Sequence, residues 1–114
     1  PLQVWGDGSP LREFLYSEDL GKIIDWVLHS YDDPEPLITS SNHEISIRHV
    51  AEKLMDLYGL SELIFQNNMP MGQLRKPSDN SKLKSLIDFE FTSFDEGLEK
   101  TVSWFNKNYE SARK

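Results

Sequence analysis

Val4-Trp5-Gly6-Asp7-Gly8-Ser9-Pro10-Leu11-Arg12-Glu13-Phe14, near the start of this 114-residue chain, decides how the fold is read. Leu2 to Trp5 has the composition of a short strand, and the turn formers from Gly6 to Pro10 stop it abruptly. Behind the turn, Ser17-Glu18-Asp19 offers an N-cap and an acidic first turn. Leu20, Ile23, Ile24, Val27, Leu28 and Tyr31 then recur at helical spacing on one face. The unit is strand, turn and helix, with an aromatic plane at Trp5 before the turn and a guanidinium at Arg12 after it.

Working outward, the helix must stop before Asp33-Pro34-Glu35-Pro36, because a residue preceding proline is pushed out of helical geometry. Pro36 to Ser40 is predicted to be a strand and Ser41 to Glu44 a loop. A second helix starts near Ser46, with Ile47, Val50, Ala51, Leu54, Met55 and Tyr58 as its buried stripe and Gly59 at a left-handed cap. Leu63 to Phe65 is a short strand. Asn67 to Asn80 is a long loop, and loops of that length without structure of their own are usually functional or disordered. Ser81 to Ile87 is a short helix. Ser93 and Glu96 have capping-box spacing, and Phe94, Leu98, Thr101, Val102, Phe105 and Tyr109 follow on one face of a final helix. Short strands alternating with three main helices make the class α/β, and so few strands point to a subdomain of something larger.

The bulk composition excludes more than it specifies. The net charge of −7 argues against nucleic acid and anionic lipid, which both favour basic surfaces. There are no cysteines, hence no disulfide framework and no cysteine-based metal site or nucleophile. No apolar run reaches the ~20 residues of a membrane-spanning helix. Together these point to a cytoplasmic protein. His29, His43 and His49 lack metal-ligand spacing. No catalytic motif is present, and Gly6-Asp7-Gly8 is a turn without the third glycine of a dinucleotide loop.

The features suited to binding are Trp5 and Arg12. An indole can stack on a base or sugar while a guanidinium forks onto phosphate oxygens. Arg75-Lys76, in the loop from Met69 to Asp79, can close on the same ligand. Blander readings stay open at this point: a strand-end Trp in the core, an Arg in a surface ion pair, and Arg75, Lys76, Lys82 and Lys84 as a solvated face.

The segment Val4 to Leu20 resembles the V-W-G-x-G-x-P-x-R-x-F motif of the GDP-L-fucose synthases, extended short-chain dehydrogenases/reductases of Rossmann type. The resemblance continues through Asp33-Pro34-Glu35-Pro36, Glu44-Ile45-Ser46-Ile47, Gly72-Gln73-Leu74-Arg75-Lys76 and Asn80-Ser81-Lys82-Leu83. It ends at Trp104-Phe105, Asn108-Tyr109-Glu110 and Ala112-Arg113-Lys114. It implies that residues 1–114 are the C-terminal substrate-binding domain of a multifunctional enzyme. That enzyme epimerises GDP-4-keto-6-deoxy-D-mannose at C3 and C5, then reduces C4 with NADPH. NADP(H) and the catalytic Ser, Tyr and Lys would belong to an N-terminal Rossmann domain outside this chain, so the strand opening at Leu2 is expected to continue that first half. This chain would carry no catalytic, cofactor or metal residue and be inactive alone.

By motif match Trp5 and Arg12 fall on substrate-binding positions, and Lys76 on a basic position of the long loop. Met71 stands where the family usually has a substrate-contacting Asp, which implies loss of a polar contact of ~1–3 kcal/mol. The parent is expected to be a homodimer. Two alternatives remain: a fragment of a related UDP- or dTDP-sugar epimerase or dehydratase, and a non-catalytic nucleotide-sugar binding module.

Overall fold

The computed structural model describes residues 1–113; Lys114, the last residue of the terminal motif, lies outside the described residues. In chain order the elements are β1 (Leu2–Trp5), β2 (Leu11–Glu13), α1 (Ser17–Ser30), β3 (Glu44–Ser46), α2 (Ile47–Tyr58), β4 (Leu63–Gln66), α3 (Ser81–Leu86) and α4 (Phe94–Asn108). The class is α/β, with three long helices and one short one.

The strands form two separate pairs. β1 and β4 run parallel, from Leu2 opposite Leu63 to Trp5 opposite Gln66. Parallel strands need a long crossover; here it contains α2, which packs on both. β2 and β3 run antiparallel, with Arg12 opposite Ile45. Backbone bonds from Ile47 N to the Pro10 carbonyl (2.9 Å) and from Arg48 N to the Gly8 carbonyl (2.8 Å) seat the start of α2 on the turn after β1.

The helix signals for α2 and α4 act as their chemistry requires. Ser46 Oγ accepts from His49 N and Ser93 Oγ accepts from Glu96 N, each satisfying an otherwise orphaned first-turn donor. Gly59 closes α2 at φ 60°. Only half of the capping box is used, since the Glu96 carboxylate turns to Lys100 at 3.0 Å.

Three expectations are corrected. Ser17 is the first helical residue of α1 rather than its cap; Tyr16 holds the cap position and makes no side-chain capping bond. Pro36 to Ser40 is not a strand. Its Ser40 instead accepts and donates sideways: its carbonyl takes Asn80 Nδ2 at 2.7 Å and its hydroxyl donates to Glu13 Oε2 at 2.7 Å. The strand predicted there is replaced by β3, which opens within the expected loop. Finally, the predicted apolar face of α1 is only partly covered. Ile23 is fully buried, whereas Ile24 is 49% and Leu28 77% exposed.

Each helix contributes one buried apolar residue: Ile23, Ala51, Leu83 and Val102. Asp19, buried in the first turn of α1, joins α1 to α4. Its carboxylate accepts from Thr92 N at 2.8 Å and from Thr92 Oγ1 at 2.9 Å, just ahead of the Ser93 cap. The core is thin for the chain length. The accessible surface is 8144 Å², against roughly 6,400 Å² for a compact monomer of this mass. The radius of gyration is 16.7 Å, against about 13 Å for a compact domain.

Candidate functional site

β1 delivers Trp5 to the edge of the parallel pair, and the ladder continues one step beyond it, with Gly6 N donating to the Gln66 carbonyl at 2.9 Å. The chain then reverses through Gly6 and Gly8, at φ 78° and 79°, a left-handed conformation that L side chains rarely adopt. Space is as decisive as φ. A β-carbon on Gly6 would lie 2.1 Å from Met71 Cγ, and one on Gly8 would lie 2.6 Å from the Phe65 ring and 3.1 Å from the Arg48 backbone. The turn is closed over by the long loop on one side and by α2 on the other.

Trp5 is 60% exposed, so its indole is not a core residue. Arg12, on β2, is half-buried; its Nη1 donates to the Leu11 carbonyl at 2.7 Å. Its Nη2 points along Gly72, where an added β-carbon would be 3.6 Å away. Met71 lies on Gly6 and is 42% exposed. The structure therefore brings Met71 to the turn that follows Trp5, and Gly72 to the head of Arg12. Lys76 is exposed on the same loop and makes no ion pair among the described residues.

The loop is fastened on its other side. Leu11 N donates to the Leu74 carbonyl at 2.7 Å, extending the β2 edge. Arg75 forks onto Glu44 at 2.9 and 2.7 Å. That bidentate contact, first the hydrogen bonds and then the opposite charge, raises the Arg75 pKa further. Arg75 is thus a structural cation, and the Arg75-Lys76 pair divides into one anchor and one free ammonium. Lys82 is likewise engaged, by Asp33 at 3.0 Å and by the Tyr31 ring. Two of the four cations of the basic stretch, Arg75 and Lys82, are thus neutralised in place.

Arg48 was not singled out in sequence. Its Nη2 donates to the Asp7 carbonyl at 2.9 Å and its guanidinium lies 4.1 Å from the Phe65 ring centroid. Only the fold reveals this, because nothing in the helix sequence marks Arg48 as facing a turn 41 residues earlier. His29 bonds the Asp25 carbonyl and His49 bonds Asp95, both at 2.8 Å or less. Among the described residues no three His, Cys, Asp or Glu side chains gather as metal ligands, and no helix is long and apolar enough to cross a membrane.

Trp5, Arg12, Met71 and Lys76 line neither of the two main concavities. One, of about 310 Å³, lies between Phe14–Ser17 and the start of α4. The other, of about 460 Å³, lies between His43, Leu83 and Phe91. Trp5, Met71 and Lys76 are exposed outside both, and Arg12 is half-buried.

Comparison with known proteins follows this same stretch. The model of the NAD dependent epimerase/dehydratase family matches residues 1–40. A GDP-L-fucose synthase of Dictyostelium discoideum is 41% identical over 99% of the chain and 37% of its own length. A crystal structure of a GDP-L-fucose synthetase from Naegleria fowleri bound to NADP superposes with a TM-score of 0.92 at 36% identity, over 98% of the chain and 36% of that protein. The chain is thus similar to GDP-L-fucose synthases along nearly its whole length, and to the epimerase/dehydratase family model over its first 40 residues. A trifunctional UDP-glucose 4,6-dehydratase/UDP-4-keto-6-deoxy-D-glucose 3,5-epimerase/UDP-4-keto-L-rhamnose-reductase of Arabidopsis thaliana is 34% identical over 96% of the chain and 17% of its length. The chain spans little more than a third of the length of each of these two fucose synthases.

Within this epimerase/dehydratase frame, the two turn glycines do not form a dinucleotide cradle. The space a pyrophosphate would approach is filled at Gly6 by Met71 and at Gly8 by Phe65 and Arg48. This turn therefore does not fit a pyrophosphate, and no step of hydride transfer is assigned to its residues.

Proposed function

We propose that residues 1–114 are the substrate-binding portion of a GDP-L-fucose synthase, a soluble homodimeric enzyme of the cytoplasm. In the complete protein a separate Rossmann domain carries NADP(H) and the catalytic groups. The carrying observation is that an exposed indole at Trp5 and an Arg12 with most of its N–H donors unused flank one turn of an acidic chain, with the loop that bears Met71 and the exposed Lys76 fastened against it. Likeness to fucose synthases along nearly the whole chain supports the sugar assignment.

In this reading the chain binds and orients; it moves no proton and no hydride. The Trp5 plane takes an aromatic or sugar face. Arg12 and Lys76 neutralise the diphosphate, Arg12 as a fork and Lys76 as a point charge. Met71 presents a thioether beside them, in place of a carboxylate that would repel the diphosphate and accept sugar hydroxyls. The covered turn glycines keep the Trp5 and Arg12 sides of the turn at fixed separation.

The test is nucleotide preference in the complete protein. Inhibition by GDP, UDP and dTDP should rank GDP first, with NADPH oxidised only when GDP-4-keto-6-deoxy-D-mannose is supplied. The similarity to the UDP-sugar enzyme makes the second reading specific: preference for UDP would assign the chain to a pyrimidine-nucleotide sugar reductase or dehydratase. Binding without NADPH oxidation would leave the non-catalytic module.

A further inference from the structure

The loop that carries Met71 and Lys76 returns to the fold at Ser78, and it returns onto a carboxylate. Glu13 follows Arg12 directly on β2. Its Oε1 accepts from Ser78 N at 3.0 Å, and its Oε2 accepts from Ser40 Oγ at 2.7 Å and from Ser78 Oγ. One carboxylate thus joins three segments: the strand bearing Arg12, the segment at Ser40–Asn42, and the end of the long loop. Ser40 is itself held, since its hydroxyl also accepts from Asn42 N at 3.0 Å and its carbonyl accepts from the buried Asn80 side chain. Neighbouring residues of one strand therefore do different things: Arg12 reaches toward Gly72 at the front of the loop, and Glu13 fastens its back.

We infer that Glu13 is a positioning residue, which acts through Ser78 to hold the 67–80 loop, and with it Met71 and Lys76, against Arg12 for binding of the nucleotide sugar. The inference rests on the proposed function for its ligand, but the latch itself stands on geometry alone. An ionised carboxylate is acceptor-only and suits three converging donors. An amide at the same place can accept from Ser78 N with its oxygen, but its nitrogen is a donor facing the Ser40 and Ser78 hydroxyls, which donate here, and Ser40 Oγ already accepts from Asn42 N. An alanine satisfies none. The hydrogen bonds from Ser78 and Ser40 hold the Glu13 carboxyl below its ordinary value of 4.5, so the latch is closed at neutral pH.

The test uses the complete protein with Glu13→Ala, Glu13→Gln, Ser78→Ala and the Glu13→Ala/Ser78→Ala double variant, and two readouts. The first is tryptic cleavage after Arg75, the bond that becomes accessible when the loop leaves the body; Lys76-Pro77 is protected by its proline. The second is steady-state kinetics with the GDP-sugar and NADPH. Expected are faster cleavage after Arg75 in every variant and a rise of about tenfold in the GDP-sugar KM for Glu13→Ala. A smaller rise is expected for Glu13→Gln, with kcat and the NADPH KM unchanged. The double variant should match Glu13→Ala, because both changes break one latch. Unchanged cleavage overturns the latch. Faster cleavage with unchanged KM overturns its role in positioning, and additive effects of Glu13 and Ser78 overturn their coupling. Should Glu13→Ala not fold, Ser78→Ala and Glu13→Gln carry the same comparison. Failure of the wild-type protein to bind any GDP-sugar would reject the proposed function instead, and the cleavage arm would still report on the latch.

Discussion

At Gly8 a single methyl group is enough to separate the two demands that the turn makes on its sequence. Its φ of 79° is shared with Gly6, but its neighbours are different. At Gly6 the obstructing group is the Met71 side chain, which is partly exposed and can swing away. At Gly8 the obstruction includes the Arg48 backbone at the start of α2, which cannot move without shifting the helix. Gly8→Ala should therefore cost more stability than Gly6→Ala, by about 1–2 kcal/mol beyond the cost of the positive φ. Urea unfolding of the two variants measures the difference, and equal midpoints would show that α2 yields as easily as Met71. Glu13 supplies the pH-dependent residue of the same site. Its carboxyl is lowered in the folded state, first by Ser78 and then by Ser40, so its stabilisation is fully present above the unfolded value. It is lost as pH falls through the folded value below 4.5. The stability difference between wild type and Glu13→Gln should accordingly shrink as thermal melts are taken from pH 6 toward pH 3. A difference that stays constant over that range would mean the carboxylate charge is irrelevant to the loop.

At the scale of elements, the sequence was legible wherever a signal was local. Ser46, Gly59 and Ser93 sit at helix ends and do what their chemistry dictates, because capping partners lie within four residues. Leu2–Trp5 and Leu63–Phe65 were readable as strands for the same reason. β2 and β3 were not: each has three residues, too few for alternation to show, and each exists only because the other pairs with it. Pro36–Ser40 misled in the opposite sense, since its apolar run has no ladder to join and its serine groups are taken by Glu13 and Asn80. Asp19 belongs to this scale too. It reads as an ordinary acidic first-turn residue, yet it is 2% exposed and receives both donors of Thr92. Asp19→Ala should destabilise by about 2 kcal/mol, because it leaves the part-buried Thr92 N–H and hydroxyl unpaired at the entry to α4. Ser93→Ala, which removes a cap exposed to water, should cost about 1 kcal/mol. Chemical unfolding ranks the two, and a larger loss at Ser93 would contradict the tie assigned to Asp19.

For the whole molecule the deciding fact is surface. The chain exposes roughly 1,700 Å² more than a compact monomer of its mass, and part of this is apolar: Leu28, Leu74, Trp5 and Trp104 are all more than half exposed. The candidate site shares this character at Trp5 and Met71, which are 60% and 42% exposed. Half of the candidate site could be proposed from the sequence. Trp5 and Arg12 stand out by residue type, and the structure adds that Met71 lies on the turn after Trp5 and Gly72 beside the head of Arg12. The role of Arg75 as an anchor rather than a ligand cation was not legible, because its partner Glu44 lies 31 residues away. A thin core and an uncovered apolar surface predict that the isolated 114-residue chain melts well below the complete protein and binds a hydrophobic dye. A melt equal to that of the complete protein, without dye binding, would show that the chain is self-sufficient.

The central claim, that the surface around Trp5 and Arg12 binds the diphosphate sugar, is tested most directly by Arg12→Ala in the complete protein. Steady-state NADPH oxidation should show the GDP-sugar KM raised about 10- to 100-fold, as expected for loss of a charge-assisted contact of ~1.5–3 kcal/mol, with the NADPH KM unchanged. Unchanged KM and kcat for the GDP-sugar would remove Arg12 from the site and contradict the account.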